Sequence, residues 1–146
     1  MRAVIQRVRS ASVAVDGREV VRIGPGLLVL VGFSVRERPD AAARLAERIV
    51  ALRIFNDEHG RLNRSLKEAQ GDLLLIPQIT LTASLTKGAR PSFQAAAAPE
   101  VARGLFEALV RQVNAIYPKV SSGVFQSHMV VSLENDGPVT FVLEEG

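Results

Sequence analysis

Residues 27–33 read Leu27-Leu28-Val29-Leu30-Val31-Gly32-Phe33, an apolar run without polar alternation. Because alternate residues of a strand face opposite sides of a sheet, a strand without polar positions is covered on both faces. A second run, Leu73-Leu74-Leu75-Ile76, has the same character. The two runs predict two buried strands.

Strands and helices are predicted on either side of these runs. Residues 3–15 are typical of a strand, Asp16-Gly17 of a two-residue hairpin turn, and residues 18–23 of the returning strand. One amphipathic helix of about four turns begins at Pro39-Asp40, where Asp40 is placed to cap it. A second helix runs from Pro99 to about Tyr117.

The last quarter of the chain predicts three more strands, near residues 120–125, 130–133 and 139–143, with a turn at residues 134–138. Strands therefore outnumber helices and come in blocks. This order predicts one α/β domain over residues 1–146, with mixed or antiparallel sheet and helices covering one side.

Composition excludes several classes of function. The chain has no cysteine, which excludes disulfides, thiolate nucleophiles and cysteine-ligated metals, and its two histidines exclude a three-histidine zinc site. The net charge of +3 is too small to indicate a nucleic-acid partner by itself. Charged residues occur throughout the first 15 positions, so we do not expect a secretory signal there. No apolar run approaches the roughly 20 residues that span a bilayer. We therefore expect a cytoplasmic protein.

Familiar catalytic motifs are missing from the sequence: it has no Gly-x-Ser-x-Gly elbow, phosphate loop or His-Glu-x-x-His. His59 lies in a polar turn and is interpreted as solvated, and a structural placement is the favoured interpretation for His128. If the protein is an enzyme, its chemistry depends on backbone groups, a polar strand face or the substrate itself.

Polar residues alternate with apolar ones after the second buried run. This period of two places four polar side chains on one face of a predicted strand: Gln78, Thr80, Thr82 and Ser84. The face is either solvated or a polar floor with backbone N–H groups that suit an oxyanion. Pro77 has no N–H and belongs at a strand start, an edge or a bulge, where neighbouring amides are left for a ligand.

Residues 135–140 read Asn135-Asp136-Gly137-Pro138-Val139-Thr140. By itself this segment is a turn. A cis Gly137-Pro138 bond would instead aim two carbonyl oxygens in fixed directions, which suits capture of an amine. Arg7 shares a strand face with Ala3 and Ile5 and is either an edge charge or a clamp on carbonyls or phosphate.

The chain resembles the D-aminoacyl-tRNA deacylases, also called the D-tyrosyl-tRNA deacylase family, of the Gly-cisPro type, along essentially its full length. Residues 135–140 match the family's Asn-x-Gly-Pro-Val-Thr signature in full. The other matching segments are Ala3-Val4-Ile5-Gln6-Arg7-Val8, the Gly26–Gly32 strand, Arg53-Ile54-Phe55, Gly88-x-Arg90-Pro91-Ser92-Phe93 and Gly123-x-Phe125-x-x-x-Met129.

A second family signature, Ser-Gln-Phe-Thr-Leu, is only partly matched. The segment here is Pro77-Gln78-Ile79-Thr80-Leu81, so Pro77 removes a hydroxyl and an amide donor, and Ile79 removes an aromatic ring. A role of the family's serine side chain does not carry over. The amides of Ile79 and Thr80 remain for a backbone oxyanion site.

The resemblance implies a fold of three layers (β/β/α) with two main helices, and hydrolysis of the ester that joins a D-amino acid, or glycine, to the 3′-terminal adenosine of tRNA. The implied catalytic residues are Gln78, Ile79 and Thr80. The implied substrate-binding residues are Gly137, Pro138, Arg7, Asn135, Phe125 and Met129.

The resemblance also implies a homodimer, in which the Gly137-Pro138 loop enters the partner's site, holds the α-amino group and rejects an L side chain. The 2′-hydroxyl of the adenosine is expected to assist, and no cofactor or metal is expected. Two alternatives stay open: an RNA-binding module whose site is disabled by Pro77 and Ile79, and a deacylase that acts mainly on mischarged glycyl-tRNA.

Overall fold

The first strand organises the fold. β1 (Arg2–Val15) forms antiparallel pairs with three other strands. In the computed structural model, which describes residues 1–145, the elements that follow are β2 (Arg18–Ile23), β3 (Gly26–Gly32), α1 (Ala41–Ala51), β4 (Arg53–Asn56), β5 (Leu62–Ser65), α2 (Leu66–Ala69), β6 (Asp72–Pro77), a 3-10 helix (Ile79–Thr82), α3 (Pro99–Ile116), β7 (Val120–Ser122) and β8 (Val130–Glu144). Gly146, the last residue of the predicted domain, lies outside the described residues.

The main sheet of the described residues is mixed. Its strand order is β2-β1-β3-β6-β7, and β8 pairs with β1. The first half of β1 pairs with β3 and its second half with β2, whereas β8 pairs with β1 along nearly its whole length. β3, β6 and β7 are parallel. β4 and β5 form a separate hairpin around the polar turn that contains His59.

The two apolar runs are buried on both faces, as predicted. Alternate residues of β3 and β6 share one core with α1 and α3: Leu27, Val29, Val31, Leu73 and Leu75. The residues on the opposite faces share a second core with the outer half of β1 and with β2: Leu28, Leu74 and Ile76. The chain therefore has a helix layer and two β layers, and the predicted three-layer fold class with two main helices is confirmed.

The Asp16-Gly17 hairpin is also confirmed. Both residues have positive φ, 51° and 75°, as a tight turn between twisted strands requires. Gly17 tolerates this backbone conformation without steric cost. β2 begins directly after it and pairs back onto β1 from Arg18.

The helices agree with prediction in position but not in detail. α1 has 11 residues, about three turns rather than four. Asp40 occupies the N-cap position of α1, but its side chain makes no capping hydrogen bond because the backbone of Asp40 is not extended. Its carboxylate instead accepts a hydrogen bond from Arg38 Nε at 3.1 Å. The Arg38 guanidinium holds the pKa of Asp40 below its ordinary value. None of the helices within residues 1–145 is long and apolar enough to cross a membrane.

The predicted turn at residues 134–138 is wrong. β8 continues through it, because the strand keeps antiparallel pairing with β1 on both sides: Thr140 pairs with Gln6, and Asn135 pairs with Val8. Four residues of β8 therefore oppose Arg7 alone. The segment is a large, special bulge in one strand rather than a reversal of the chain.

A matched pair of glycine substitutions tests the packing of β3 against β6. A Cβ on Gly26 would lie 1.8 Å from the Asp72 carbonyl oxygen, whereas a Cβ on Gly104, inside α3, would meet nothing within 4 Å. We expect Gly26→Ala to lower the free energy of unfolding by about 3 kcal/mol. Gly104→Ala should raise it by about 1 kcal/mol, because alanine has the higher helix propensity. Urea unfolding measures both, and similar values for the two variants would contradict this packing.

Candidate active site

A cavity of about 430 Å³ opens at the carboxyl ends of β3 and β6. These two strands are parallel neighbours, so both end at one edge of the sheet, a common place for ligand sites. The beginning of α3 and the loop between β7 and β8 complete the wall. Four of the predicted site residues line the cavity: Gln78, Ile79, Phe125 and Met129.

The predicted polar strand at residues 78–84 is wrong, because residues 79–82 form a 3-10 helix. The backbone N–H of Gln78 makes the last hydrogen bond to β3, donating to the Val31 carbonyl oxygen at 2.7 Å. β3 then ends, and local hydrogen bonds replace the ladder. Thr82 Oγ1 donates to the Ile79 carbonyl at 2.8 Å, a threonine contact that competes with strand pairing.

The turn of the 3-10 helix leaves two amides without partners. Leu81 N–H donates to the Gln78 carbonyl at 3.3 Å, and Ala83 N–H donates to the Thr80 carbonyl at 3.2 Å. The amides of Ile79 and Thr80 have no acceptor within residues 1–145, as is usual for the first N–H groups of a helix. The Gln78 side-chain amide donates to the Thr80 hydroxyl. The three predicted catalytic residues therefore form one cluster beside the cavity.

The loop between β7 and β8 brings Phe125 and Met129 to the cavity. The predicted strand at residues 120–125 ends early, at Ser122. Gly123 donates its N–H to the Leu75 carbonyl at 2.8 Å, and Met129 Sδ accepts from Val124 N–H at 3.4 Å. A Cβ on Gly123 would lie 2.9 Å from that sulfur. The small residue thus allows the methionine to close the loop on itself.

Arg7 is a clamp on the bulge of β8 and not an edge charge. Its side chain is buried, with 8% of the residue exposed. Nε donates to the Asp136 carbonyl at 3.1 Å, and Nη1 donates to the Ile54 carbonyl at 3.1 Å and to Asn56 Oδ1 at 3.0 Å. A buried guanidinium is tolerated because its donors have such acceptors.

Asn135 closes the bulge from inside. Its Oδ1 accepts from Val139 N–H at 3.0 Å, and its Nδ2 donates to Thr140 Oγ1 at 2.8 Å. Gly137 has a φ of +136°, and a Cβ there would lie 2.7 Å from Val139 Cγ2, so the position requires glycine. The Gly137-Pro138 peptide is cis, and both residues are exposed.

The bulge and the cavity lie apart in one chain. Arg7 pairs with Leu27 at the start of β3, whereas the cavity opens at Gly32, the last residue of that strand, and the bulge residues are not among those that line the cavity. Arg7, Asn135, Gly137 and Pro138 form one group, and the residues of the cavity form another. A single chain does not bring the two groups together.

Part of the cavity wall consists of residues that were not predicted from the sequence. His128, for which a structural placement was favoured, is exposed and lines the cavity. Gly32, Pro99 and Ala102 also line it. The order of residues gives no signal for this, because the contacts join segments far apart in the chain. His59 is exposed, as predicted. Within residues 1–145, no three His, Asp or Glu side chains lie close enough together to hold a metal ion.

Comparison with known proteins identifies the family. A family model described as D-Tyr-tRNA(Tyr) deacylase matches residues 4–144. The chain belongs to this family. A D-aminoacyl-tRNA deacylase of Solidesulfovibrio magneticus is 54% identical over 99% of this chain and 95% of the relative. Another, from Thioalkalivibrio sulfidiphilus, is 51% identical over 99% of this chain and 97% of the relative. The family resemblance expected from the sequence is confirmed.

Solved structures of similar chains agree in fold. A structure titled c-Myc DNA Unwinding Element Binding Protein is 36% identical, has a TM-score of 0.95, and is matched over 100% of this chain and 99% of that one. The structure of a probable eukaryotic D-amino acid tRNA deacylase is 20% identical, with a TM-score of 0.85 over 97% of each chain. The second shows the fold alone.

Substitution of Asn135 tests whether its side chain holds the bulge. Asn135→Ala removes both hydrogen bonds and leaves the half-buried Val139 amide without an acceptor, so we expect the free energy of unfolding to fall by about 1–2 kcal/mol. Asn114→Ala, at an exposed position of α3, is the matched control and should not destabilise the protein, because alanine has the higher helix propensity and raises the free energy of unfolding by up to about 0.7 kcal/mol. An equal change in the two variants, measured by urea unfolding, would show that Asn135 does not support the bulge.

Proposed function

We propose that this protein hydrolyses the ester between a D-amino acid and the 3′-terminal adenosine of tRNA. The relatives named D-aminoacyl-tRNA deacylase are about half identical along almost the whole chain. The observation that carries the proposal is the pair of unpartnered amides, Ile79 and Thr80, beside a cavity of about 430 Å³. This volume suits an aminoacylated nucleoside, since small-ligand sites measure about 300–1,000 Å³.

The two amides act as the oxyanion site of the proposed reaction. Ester hydrolysis passes through a tetrahedral intermediate with negative charge on the former carbonyl oxygen. Backbone donors fixed toward that oxygen lower the barrier, and loss of one such donor typically costs about 10²–10³ in rate. Pro77 and Ile79 depart from the family signature, but the amides do not depend on side-chain identity. Gln78 and Thr80 position this segment through their mutual hydrogen bond.

We further propose that water attacks the ester with help from the 2′-hydroxyl of the terminal adenosine. The product is the free amino acid and tRNA with an intact 3′ end. The proposed site supplies backbone amides and a hydrogen-bonded glutamine–threonine pair. Assistance from a hydroxyl group of the substrate is consistent with such a site. The reaction belongs in the cytoplasm, where charged tRNA is used.

Handedness is selected by the main chain of Gly137 and Pro138 in this proposal. Their carbonyl oxygens accept from the α-amino group, and the backbone itself stands where an L side chain would project. D and L substrates carry the same groups, and ordinary pocket contacts discriminate poorly, with a methylene worth about 1–3 kcal/mol. A fixed wall that clashes with one enantiomer discriminates more. Arg7 and Asn135 hold that wall in place.

Glycine has no side chain to meet the wall. The same site therefore accepts mischarged glycyl-tRNA in this proposal.

A homodimer completes the proposed site. In one chain the Gly137-Pro138 segment does not line the cavity, so in the proposed dimer it enters the cavity of the partner subunit. β8, which carries the bulge, pairs only with β1 in the described residues. It also exposes a set of large apolar side chains, a feature of surfaces that are covered by a partner: Val130, Leu133, Phe141 and Val142.

The substrate proposal is tested with D-Tyr-tRNA, L-Tyr-tRNA and Gly-tRNA at equal enzyme. We expect rapid release of D-tyrosine and glycine, and release of L-tyrosine no faster than without protein, because the wall excludes only the L side chain. Loss of acid-precipitable label measures each rate. No release from D-Tyr-tRNA would favour the RNA-binding module, and a much higher rate on Gly-tRNA would favour the glycyl-tRNA deacylase.

Mixing two inactive variants tests the shared site. Ile79→Trp fills the cavity and Gly137→Ala displaces the bulge, so each homodimer should be inactive. Refolded together in equal amounts, half of the dimers are mixed and carry one intact site, which predicts about a quarter of wild-type activity. Light scattering should give a mass of about twice 15.8 kDa.

The control mixture pairs Ile79→Trp with the double variant Ile79→Trp/Gly137→Ala. It contains no intact cavity and should stay inactive. Recovery in this control, or none in the test mixture, would contradict a site shared between protomers.

A further inference from the structure

The cavity admits only the end of the substrate. Its volume of about 430 Å³ suits one aminoacylated nucleoside. The nucleotides that precede the terminal adenosine must therefore lie outside the cavity. Each of them adds a phosphodiester with one negative charge, and the first phosphodiester is attached to the nucleoside inside. A cation at the rim of the cavity would meet this part of the chain.

Arg103 is a cation at that rim. It follows Ala102, a lining residue, in the first turns of α3. Its guanidinium carbon lies 4.8 Å from the centroid of the Phe125 ring, and Nη2 donates to Gln126 Oε1 at 2.7 Å. Phe125 and Gln126 both line the cavity. The cation–π contact and the hydrogen bond hold the planar guanidinium in a defined orientation beside the opening.

Within residues 1–145, Arg103 forms no ion pair with a carboxylate. The arginines with a carboxylate oxygen within 4.0 Å in the described residues are Arg2, Arg7, Arg9, Arg22, Arg38, Arg44 and Arg48. Arg103 is not among them, although Glu100 and Glu107 lie about one turn away on the same helix. A guanidinium has five N–H donors, and one of them serves Gln126. Arg103 is exposed, so its side chain is accessible to a ligand.

We propose that Arg103 binds the phosphodiester next to the terminal adenosine of the tRNA. This inference rests on the proposed deacylase function and adds a substrate contact to it. Arg103 contacts Phe125 but is not among the residues that line the cavity, and it takes no part in the proposed ester cleavage. Its contribution therefore applies to polynucleotide substrates and not to an aminoacyl nucleoside.

Two substrates separate this role from a structural one. D-Tyr-tRNA carries the phosphodiester, and 3′-O-(D-tyrosyl)adenosine lacks it. We expect Arg103→Gln to lower kcat/KM for D-Tyr-tRNA about tenfold, chiefly through KM, as for loss of a charge-assisted hydrogen bond. The rate on the nucleoside ester should be unchanged. A plot of log kcat/KM against log salt should become shallower by about 0.7, the value for one phosphate of a single strand.

Arg111→Gln is the matched control, since Arg111 is exposed on the same helix two turns further along. It should alter neither rate nor the salt slope. Arg103→Lys keeps the positive charge, so its salt slope should lie between the slopes of Arg103→Gln and of the wild type.

An equal loss of kcat/KM on both substrates would show that Arg103 only supports Phe125. An unchanged kcat/KM for D-Tyr-tRNA would exclude the contact with the phosphodiester. Either result overturns the proposal. If wild-type protein cleaves neither substrate, the deacylase function fails instead. The role of Arg103 is then decided by filter binding of D-Tyr-tRNA to the same variants: weaker binding by Arg103→Gln alone supports it, and equal binding overturns it.

Discussion

A buried guanidinium in the middle of β1 fixes the path of β8. Arg7 faces four residues of β8 where regular pairing would place one, and its guanidinium donates to the Asp136 carbonyl of that bulge and to two acceptors of β4. Without a clamp, four bulged residues in an edge strand, two of them exposed, would sample many conformations. With Arg7 on one side and the Asn135 side chain on the other, the main chain of Gly137 and Pro138 is held in one position. A wall that distinguishes enantiomers requires such a fixed position.

The same strand pairing separates the two halves of the proposed site. β1 places Arg7 opposite Leu27, at the start of β3, while the cavity opens at Gly32, at the other end. Each half offers main-chain groups: carbonyls at the bulge and amides at Ile79 and Thr80. A reaction that uses only such groups and a hydroxyl of its substrate tolerates side-chain changes such as Pro77 and Ile79. A second subunit is the simplest source of the missing half.

Local pattern predicted the parts of the fold that depend on local chemistry. The two apolar runs, the Asp16-Gly17 turn and the Pro99 start of α3 were identified because composition and turn residues determine them. Residues 78–84 were predicted as a strand because polar and apolar residues alternate there. The same order of residues also forms a 3-10 helix, and the end of β3 decides between the two conformations. The bulge in β8 resembled a turn for a similar reason. The acceptors of Arg7 and the position of His128 come from contacts between distant segments, which periodicity does not encode.

The central claim is that one subunit supplies the amides and the other supplies the wall. A crystal structure with 3′-deoxy-3′-(D-tyrosylamino)adenosine, a stable amide analogue of the substrate, tests it most directly. The account predicts the tyrosyl carbonyl oxygen within hydrogen-bond distance of the amides of Ile79 and Thr80. It also predicts the α-amino group against the main-chain carbonyls of Gly137 and Pro138 from the second copy. An analogue bound by one subunit alone, with both Gly137-Pro138 segments in solvent, would contradict it.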